Sequence, residues 1–356
     1  MPENNASGRA TSSRAAAASF FRSRWVLIFL VLEVAFFCFR SEGFANLGSM
    51  QILLYYGVLV FLLATAELFV IITGGIDLSL GYILGFASII SIKVITKLGA
   101  MGLDPGLAIL IGVAVTLVLG LIPGLVNGWL VAYLKVPSFI ATFAMLGVCH
   151  GVSELIINGV YAMGLPKLAA DIGSGHLLYI APGGAVSFFQ KPEVERGASV
   201  IEIVPNIVVV TAVIVVVFAF VLARTKFGRH VYALGGNMDA SVRAGIPVKK
   251  RLLGVYAIAS LLASVAGVVY ALMYVSGKAD AGASLVMDSI AAVVIGGASM
   301  FGGSGTMGRT MVGALIIAVL DMGLRMAGVP TFDKYILVGV ILILAVVMER
   351  YVKERE

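Results

Sequence analysis

The 356-residue sequence is too hydrophobic for a water-soluble protein: 60% of its residues are hydrophobic and only 12% are charged, with a mean hydropathy of +1.05. Soluble domains carry about 25% charged residues. Apolar runs of the roughly 20 residues needed to cross a bilayer recur along the chain, which predicts a polytopic membrane protein.

Ten apolar spans are predicted. Each must be helical, because lipid offers backbone groups no hydrogen-bond partner and the sequence lacks the period-two alternation of a membrane barrel. They cover about residues 25–39, 51–72, 79–97, 106–134, 137–158, 205–223, 252–273, 285–301, 309–326 and 334–348. Pro123 is expected to kink the long fourth span, since proline removes a backbone donor and clashes with the preceding turn. The predicted fold class is an all-α membrane protein.

Lys and Arg predict the orientation. With the N-terminus inside, 16 of the 25 basic residues fall on the cytoplasmic side, leaving 9 outside, as the positive-inside rule requires. Both termini are then cytoplasmic. The net charge of +6 follows from this topology, so no nucleic-acid partner is needed to explain it.

The predicted domain organisation is a single membrane domain, residues 25–348, between two cytoplasmic tails, 1–24 and 349–356. No small-x-small cleavage site follows the first apolar run, so we expect residues 1–24 to be a flexible tail rather than a signal peptide. The external segment 159–204 is too short and too rich in Gly and Pro for a catalytic domain of its own.

Small residues recur at intervals of four in two spans and predict close packing between helices. These stripes are Gly112, Thr116, Gly120, Gly124, Gly128 and Ala132, and Ala259, Ala263, Gly267 and Ala271. The sixth span is apolar and branched all round, which is typical of a helix that faces lipid.

Polar groups inside membrane spans are the usual pointers to function, and here they are few. The acidic candidates are Glu33, Glu67, Asp77, Glu154, Asp288 and Asp321, which are scattered over different spans. The three histidines and the two cysteines, Cys38 and Cys149, have no spacing typical of a metal or catalytic site. The sequence therefore predicts no enzyme, no metal site and no disulfide.

The stretch TGGIDLSLG, Thr73 to Gly81, interrupts the hydrophobic run between the second and third spans. One interpretation is a sharp turn followed by a helix cap, with Asp77 or Ser79 accepting the free N–H groups of the third helix. The other is a hinge, or a break that lines a transport path. Residues alone do not decide between them.

The longest cytoplasmic connection, 224–251, is basic and contains a short helical pattern from Met238 to Ala244 that Asn237 is placed to cap. Gly235 and Gly236 are expected to form the turn before that helix by adopting angles that a Cβ penalises. A solvated loop is one interpretation. The other is a small helix at the membrane surface, pushed by a cytoplasmic partner.

The stretch GGSGTMGRT, Gly302 to Thr310, resembles a phosphate-binding loop in which Arg309 replaces the lysine. Its flanks are membrane spans rather than a buried strand and a soluble helix. In addition, a guanidinium lacks the compact ammonium that reaches between phosphates. We therefore expect ATP to bind elsewhere.

Three segments, TGGIDLSLG, TKFGRHVYALGGNMDASVRAGI and DSIAAVVIGGASMFGGSGTMG, together resemble the permease subunits of bacterial ABC importers for monosaccharides, the ribose, galactose and xylose group. The resemblance covers nearly the whole chain after the N-terminal tail. It implies a type II-like, ten-helix permease of the inner membrane. Met287 and Ser289, beside Asp288, depart from the family pattern and leave the sugar's identity more open.

The resemblance also implies partners: a second permease copy or a paralogue, a cytoplasmic ABC ATPase that carries ATP and Mg²⁺ and is in some cases a tandem fusion, and an extracytoplasmic sugar-binding protein. This chain itself is expected to bind no cofactor. Candidate residues for coupling to the ATPase are Gly228, Gly235, Gly236, Asn237, Asp239, Arg243 and Gly245. Candidate path or hinge residues are Gly74, Gly75, Asp77, Ser79, Asp288, Gly296 and Gly297. Candidate contacts for the binding protein are Lys191, Arg196 and Lys278.

The expected mechanism is alternating access without chemistry in this subunit. Alternatives that the sequence leaves open are a nucleoside, inositol or signalling furanose as the solute, an ion-coupled secondary transporter, and a scaffold protein without transport.

Overall fold

A computed structural model of the chain describes residues 25–182, 184–192, 200–330, 333–340, 342, 343 and 347. The predicted tails 1–24 and 349–356 lie outside these residues, as do residues 341, 344–346 and 348 of the predicted tenth span. Helices dominate the described residues, as the hydropathy predicts.

The helices are numbered in chain order. They are α1 (residues 25–40), α2 (Leu47–Ile72), α3 (Leu80–Ala100), α4 (Pro105–Tyr133), α5 (Ser138–Ile157), α6 (Lys167–Ser174), α7 (Asn206–Arg224), α8 (Lys226–Gly236), α9 (Met238–Arg243), α10 (Val248–Tyr274), α11 (Ala283–Ile295), α12 (Met307–Met326) and α13, whose described residues are 333–340, 342, 343 and 347.

Within the described residues, seven helices are long and apolar enough to cross a membrane: α2, α3, α4, α5, α7, α10 and α12. All seven coincide with predicted spans to within a few residues. Pro123 lies inside α4, which continues through it. The first and last predicted spans correspond to α1 and α13, and the count of ten stays a prediction.

The predicted eighth span, 285–301, was wrong in its length. Helix α11 has only 13 residues and ends at Ile295. The reason is a Schellman turn: the N–H of Gly297 donates to the carbonyl of Val294 and that of Ala298 to the carbonyl of Val293. Gly297 adopts the left-handed conformation that this turn requires, with φ of +82°.

An all-α fold was also wrong for one segment. Between α5 and α7 the chain forms α6 and a three-stranded antiparallel sheet, in the order β2-β1-β3. The strands are β1 (His176–Ile180), β2 (Val186–Phe188) and β3 (Ile201–Pro205), with Leu178 opposite both Phe188 and Ile203. Hydrophobic span lengths carry no information about such short strands, so these strands were not predicted.

Helix α10 is the centre of the bundle and packs against α2, α3 and α4. The two predicted small-residue stripes make these contacts. A Cβ on Gly120 would overlap the hydroxyl of Ser264, and one on Gly124 would overlap the carbonyl of Tyr256. The close approach lets the Ser260 hydroxyl donate to the Gly120 carbonyl (2.6 Å) and accept from the Gly124 amide (3.1 Å). The expected close packing is present.

Helix α7 has the opposite character. Only Ile207, Thr211 and Leu222 of its 19 residues are buried. This agrees with the prediction that the sixth span faces lipid, because an apolar helix that is exposed along most of its length needs an apolar solvent.

We expect the Gly124→Ala substitution to destabilise the bundle by about 1 to 3 kcal/mol, the usual cost of overpacking a tight core. The added methyl overlaps the Tyr256 carbonyl of α10. The matched control is Gly147→Ala on α5, where a Cβ meets no atom within 4 Å. Thermal unfolding midpoints in detergent measure both. Equal midpoints for the two variants would contradict the packing role.

Candidate functional site

The end of α2 is a sharp turn built on Gly74. The Gly74 amide donates to the carbonyl of Ile71 (2.9 Å) and the Gly75 amide to that of Val70 (3.2 Å), which is again the Schellman pattern. Gly74 has φ of +80°. Gly75 is packed tightly, because a Cβ there would lie 2.8 Å from the Tyr256 hydroxyl oxygen. The predicted sharp turn is therefore present at this point.

Helix α5 supports the extended residues that follow the turn. The Ile76 amide donates to the Ser138 hydroxyl (3.3 Å), and the Thr142 hydroxyl donates to the Ile76 carbonyl (3.1 Å). Buried backbone groups need such partners wherever a helix is interrupted. Side chains of α5 thus replace the helical hydrogen bonds that the break removes.

The second half of the break carries a buried polar network. Asp77 accepts hydrogen bonds from the amide (2.9 Å) and hydroxyl (2.5 Å) of Ser79, whose hydroxyl also accepts from the Asn127 side-chain amide (3.0 Å). The Asp77 amide donates to Glu67 (3.1 Å). All four side chains are fully buried. The network joins α2, α3 and α4 across the break.

This network corrects two expectations. Neither Asp77 nor Ser79 caps the first turn of α3: Ser79 is the N-cap residue but makes no side-chain cap bond, and Asp77 bonds to Ser79 instead. The acidic residues are not scattered either, because α2 and the break bring Glu67 beside Asp77. A helix-to-helix contact of this kind leaves no fixed spacing in the sequence.

Three of the glycine-rich segments meet at one place, which we call the glycine junction: Gly74, Gly235, Gly302 and Gly303. The Gly303 amide donates to the Ile72 carbonyl at 2.8 Å. A Cβ on Gly235 would overlap both that carbonyl and the Gly303 amide nitrogen, and one on Gly302 would lie 2.9 Å from the Gly74 nitrogen. The junction is thus a contact between backbones.

The loop before α12 is therefore a packing element. Gly302 and Gly303 both have positive φ, +88° and +79°, and this geometry turns the Gly303 amide toward α2. The Gly305 carbonyl accepts a hydrogen bond from the Tyr232 hydroxyl of α8 at 2.7 Å. The stretch that resembles a phosphate-binding loop thus connects α2, α8 and α12.

The predicted coupling segment contains two helices rather than one. Gly235 and Gly236 are the last residues of α8 and have no positive φ, so the turn predicted at these glycines was wrong. Gly235 instead allows close approach at the glycine junction. Gly228 does the same near the start of α8, where a Cβ would overlap the Leu222 carbonyl of α7.

Asn237 caps α9 as predicted. Its side-chain oxygen accepts a hydrogen bond from the Ala240 amide at 2.8 Å. Gly245, with φ of +75°, ends α9 in a further Schellman turn, in which the Ile246 amide donates to the Ser241 carbonyl. Both ends of this short helix are therefore defined by specific hydrogen bonds.

The free face of α9 combines charged and apolar side chains. Asp239 and Arg243 are exposed, as expected. Met238 and Val242, four residues apart, are also exposed, at 42% and 59%. Exposed apolar side chains beside charges are typical of a protein interaction surface. The charged pair was predicted from the sequence, whereas the apolar pair was not.

Asp288, one of the path candidates, lies at the opposite end of the bundle from the glycine junction. Lys334 of α13 contacts Asp288 of α11 (2.8 Å) and Asp321 of α12 (3.0 Å), and Arg325 contacts Asp321 (3.0 Å). These four side chains line a cavity of about 610 Å³, which we call the Asp288 cavity. Asp288 and Asp321, which the sequence indicated to be scattered, are thus connected through Lys334.

The hinge candidates Gly296 and Gly297 lie at the other end of α11. A Cβ on Gly296 would be 2.7 Å from the Arg309 carbonyl oxygen, so this glycine allows α11 and α12 to approach closely. Gly297 is the left-handed residue of the turn that ends α11. The two residues occupy the same positions after α11 that Thr73 and Gly74 occupy after α2.

The basic residues proposed to contact a binding protein are paired where they are described. Lys191 lies 2.7 Å from Glu202, whose hydrogen bond raises the pKa of Lys191. Lys278 lies 3.0 Å from Asp280, whose hydrogen bond likewise raises the pKa of Lys278. Arg196 lies outside the described residues. Pairing lowers the net positive charge that these positions offer, and their docking role stays a prediction.

The described residues contain no group of three or more His, Cys, Asp or Glu side chains arranged to hold a metal ion. Each histidine lies in a different place: His150 beside Glu154, His176 beside Glu202, and His230 beside Arg251. Cys38 and Cys149 are free thiols. In this geometry the chain offers contact surfaces and a cavity, and its glycines serve close packing and tight turns.

Comparison with known proteins is informative over most of the chain. Residues 49–346 match the family described as branched-chain amino acid transport system / permease component. The xylose transport system permease protein of Haemophilus influenzae is 35% identical over 90% of this chain and 94% of its own length. No solved structure matches the chain.

Two further relatives differ in the sugar that they are named for. The fructose import permease protein of Rhizobium meliloti is 33% identical over 92% of this chain and 85% of its own length. The ribose import permease protein of Bacillus subtilis is 35% identical over 81% of this chain and 80% of its own length. The family match over residues 49–346 includes the glycine junction, α9 and the residues that line the Asp288 cavity.

We expect the Gly235→Ala substitution to open the glycine junction, because the methyl cannot occupy the space of the Ile72 carbonyl and the Gly303 amide. The Gly303 amide should then exchange its hydrogen with water faster, measured by hydrogen exchange and mass spectrometry. Gly236→Ala is the control, since a Cβ there meets no atom within 4 Å. Unchanged exchange in the Gly235 variant would mean that the junction tolerates separation.

Proposed function

We propose that this chain, which belongs to the family of permease components of branched-chain amino acid transport systems, is the membrane subunit of an ATP-driven importer for a monosaccharide. The observation that carries the proposal is the full-length similarity to permeases named for xylose, fructose and ribose. The alignments with this chain cover 80% or more of the length of each of these relatives. The proposal therefore concerns the whole permease and not one module.

The proposed arrangement is a type II-like permease with ten spans and both termini in the cytoplasm. Helix α1, the short helix α11 and α13 supply the three spans beyond the seven long apolar helices. The excess of Lys and Arg around α8 and α9 supports a cytoplasmic location for the glycine junction. The Asp288 cavity and the sheet are then at the external side.

The proposed partners are a second copy or a paralogue of this chain, a cytoplasmic ATPase, and an extracytoplasmic sugar-binding protein. The exposed face of α9, with Met238 and Val242 beside Asp239 and Arg243, is the proposed contact for the ATPase. ATP and Mg²⁺ are proposed to bind to that partner. This chain then contributes the path and the contact surfaces, without a cofactor of its own.

In the proposed mechanism, movement of the ATPase pushes α9, and α8 transmits the displacement to the glycine junction. There α8 contacts the end of α2 and the loop before α12 through backbone atoms. Helices α2 and α12 also line the Asp288 cavity at their far ends. A displacement at the junction is therefore coupled by two rigid helices to the external side, which is the requirement for alternating access.

Transport and its energy source are tested with proteoliposomes that contain the permease, its ATPase and its binding protein. We expect ATP-dependent accumulation of D-xylose without any dependence on a sodium or proton gradient. The variants Glu67→Gln and Asp77→Asn keep the acceptor oxygens of the buried network and should leave this ion independence unchanged. Uptake driven by an ion gradient without ATP, and lost in these variants, would instead establish a secondary transporter.

Asn237→Ala should remove the cap bond to Ala240 and cost about 0.5 to 2 kcal/mol of local helix stability. We expect stimulation of ATP hydrolysis by loaded binding protein to fall together with sugar uptake. The control is Asn237→Ser, since serine is also a good N-cap residue and should restore both. Normal stimulation in the alanine variant would place the coupling contact elsewhere.

A further inference from the structure

We propose that the Asp288 cavity is a binding site for an uncharged sugar ring on the permease itself, occupied after the sugar leaves its binding protein. The inference rests on the proposed function. It starts from the position of the cavity: its walls come from the first half of α2, the end of α10, the start of α11, the end of α12 and the start of α13. It is therefore built by five helices at the end of the bundle opposite the ATPase contact.

Charge balance decides which class of ligand fits. The described residues that line the cavity include two acids, Asp288 and Asp321, and two bases, Arg325 and Lys334. At their ordinary charges the four cancel, and they are already joined in one chain of ion pairs. A sugar acid or a sugar phosphate would bring a charge without a free counter-charge, which is costly away from water. A neutral ligand carries no such penalty.

The same ion pairs provide hydrogen bonds suited to hydroxyl groups. Carboxylates accept hydrogen bonds, whereas Lys and Arg donate them, and a sugar hydroxyl can do both. Lys334 has only 8% of its surface exposed, so its ammonium group is held in place by Asp288 and Asp321. Hydrogen bonds between such charged groups and a ligand are stronger than those between neutral groups.

Aromatic side chains form another wall. Tyr270 and Tyr274, one turn apart on α10, have ring centroids 4.5 Å apart, and Tyr56 of α2 lies 6.5 Å from Tyr274. All three line the cavity. The C–H faces of a pyranose or furanose ring can pack on aromatic rings while its hydroxyls reach the polar wall. Small-molecule sites are usually built in this way, from apolar and aromatic walls with a few placed polar groups.

The size of the cavity also fits. At about 610 Å³ it lies within the range of about 300 to 1,000 Å³ that is usual for small-molecule sites. A monosaccharide would leave room for water, so we expect weak binding, as transport requires. A site that held the sugar tightly would trap it on its way through the membrane.

The site is tested by protection of a cysteine placed in its wall. Ser284 lines the cavity and is exposed. The reporter is Ser284→Cys in a Cys38→Ser background, because Cys38 is exposed whereas Cys149 is buried. Labelling by a small thiol reagent is timed on the purified permease without its binding protein. At a D-xylose concentration about ten times the apparent Kd, we expect labelling to slow about tenfold.

The ligand class is read from competing compounds. D-xylose and D-ribose should protect Ser284→Cys, whereas D-xylonate and leucine should not. Protection by leucine but not by sugars would overturn the assignment, because a zwitterion could also use a balanced set of charges. A cysteine at Ser174, which is exposed and outside the cavity, is the control and should label at one rate throughout.

The aromatic wall is tested in the same assay. Tyr274→Leu should raise the D-xylose concentration for half-protection by about two- to tenfold, the usual range for a lost aromatic contact. Tyr161→Leu, outside the cavity, should leave it unchanged. A second reporter, Ala281→Cys, covers the case in which Ser284→Cys fails to fold.

The outcomes separate this inference from the proposed function. If the wild-type complex takes up D-xylose with ATP but neither reporter is protected by any sugar, the Asp288 cavity is not a sugar site. If the complex takes up no monosaccharide, the proposed function is wrong, and the inference that rests on it is wrong as well. Protection in both reporters, weakened by Tyr274→Leu alone, establishes the site.

Discussion

Every backbone N–H and C=O group that leaves a helix within a membrane domain must find another partner, because lipid provides none. The glycine junction and the break after it are the place where this requirement governs the structure. The end of α2, the end of α8 and the loop before α12 satisfy one another there through backbone atoms, most directly by the hydrogen bond from Gly303 to Ile72. Side chains of α5 satisfy the residues that follow.

A contact between backbones has mechanical consequences. Side chains change rotamers and absorb small movements, whereas backbones in direct contact do not. A displacement of α8 would therefore reach α2 without slack, and α2 is the most buried of the long helices. The interior network of Glu67, Asp77, Ser79 and Asn127 lies just beyond the junction and connects α2 to α3 and α4. In the proposed mechanism, motion that enters at α9 is thus passed to the centre of the bundle.

Features whose sequence pattern lies within a single helix could be predicted from the sequence. The seven long helices, the stripes that pack α4 against α10 and the Asn237 cap are of this kind, since each follows from hydropathy, spacing or local hydrogen bonding. Features that depend on contacts between distant segments could not. No spacing in the sequence indicates that Glu67 meets Asp77, or that Lys334 joins Asp288 to Asp321.

The glycines also show that the sequence alone does not specify the contacts between distant segments. Their positions marked segments that meet at the glycine junction, but the reason for the glycine was different at Gly235, which serves close approach rather than an unusual backbone angle. A glycine in the sequence is compatible with either cause. Only the neighbouring backbone distinguishes them, and at this position that neighbour is more than 60 residues away in the chain.

The lengths of the helices have a consequence for the lipid. Helix α7, with 19 residues, is about 28 Å long and matches a bilayer core of about 30 Å, whereas α4, with 29 residues, is about 44 Å long. Helix α4 must tilt or project beyond the core, and its tight contact with α10 makes the two tilt together. The thickness of the surrounding bilayer therefore acts on the central pair of helices, and membranes with shorter or longer acyl chains will favour different tilts of that pair.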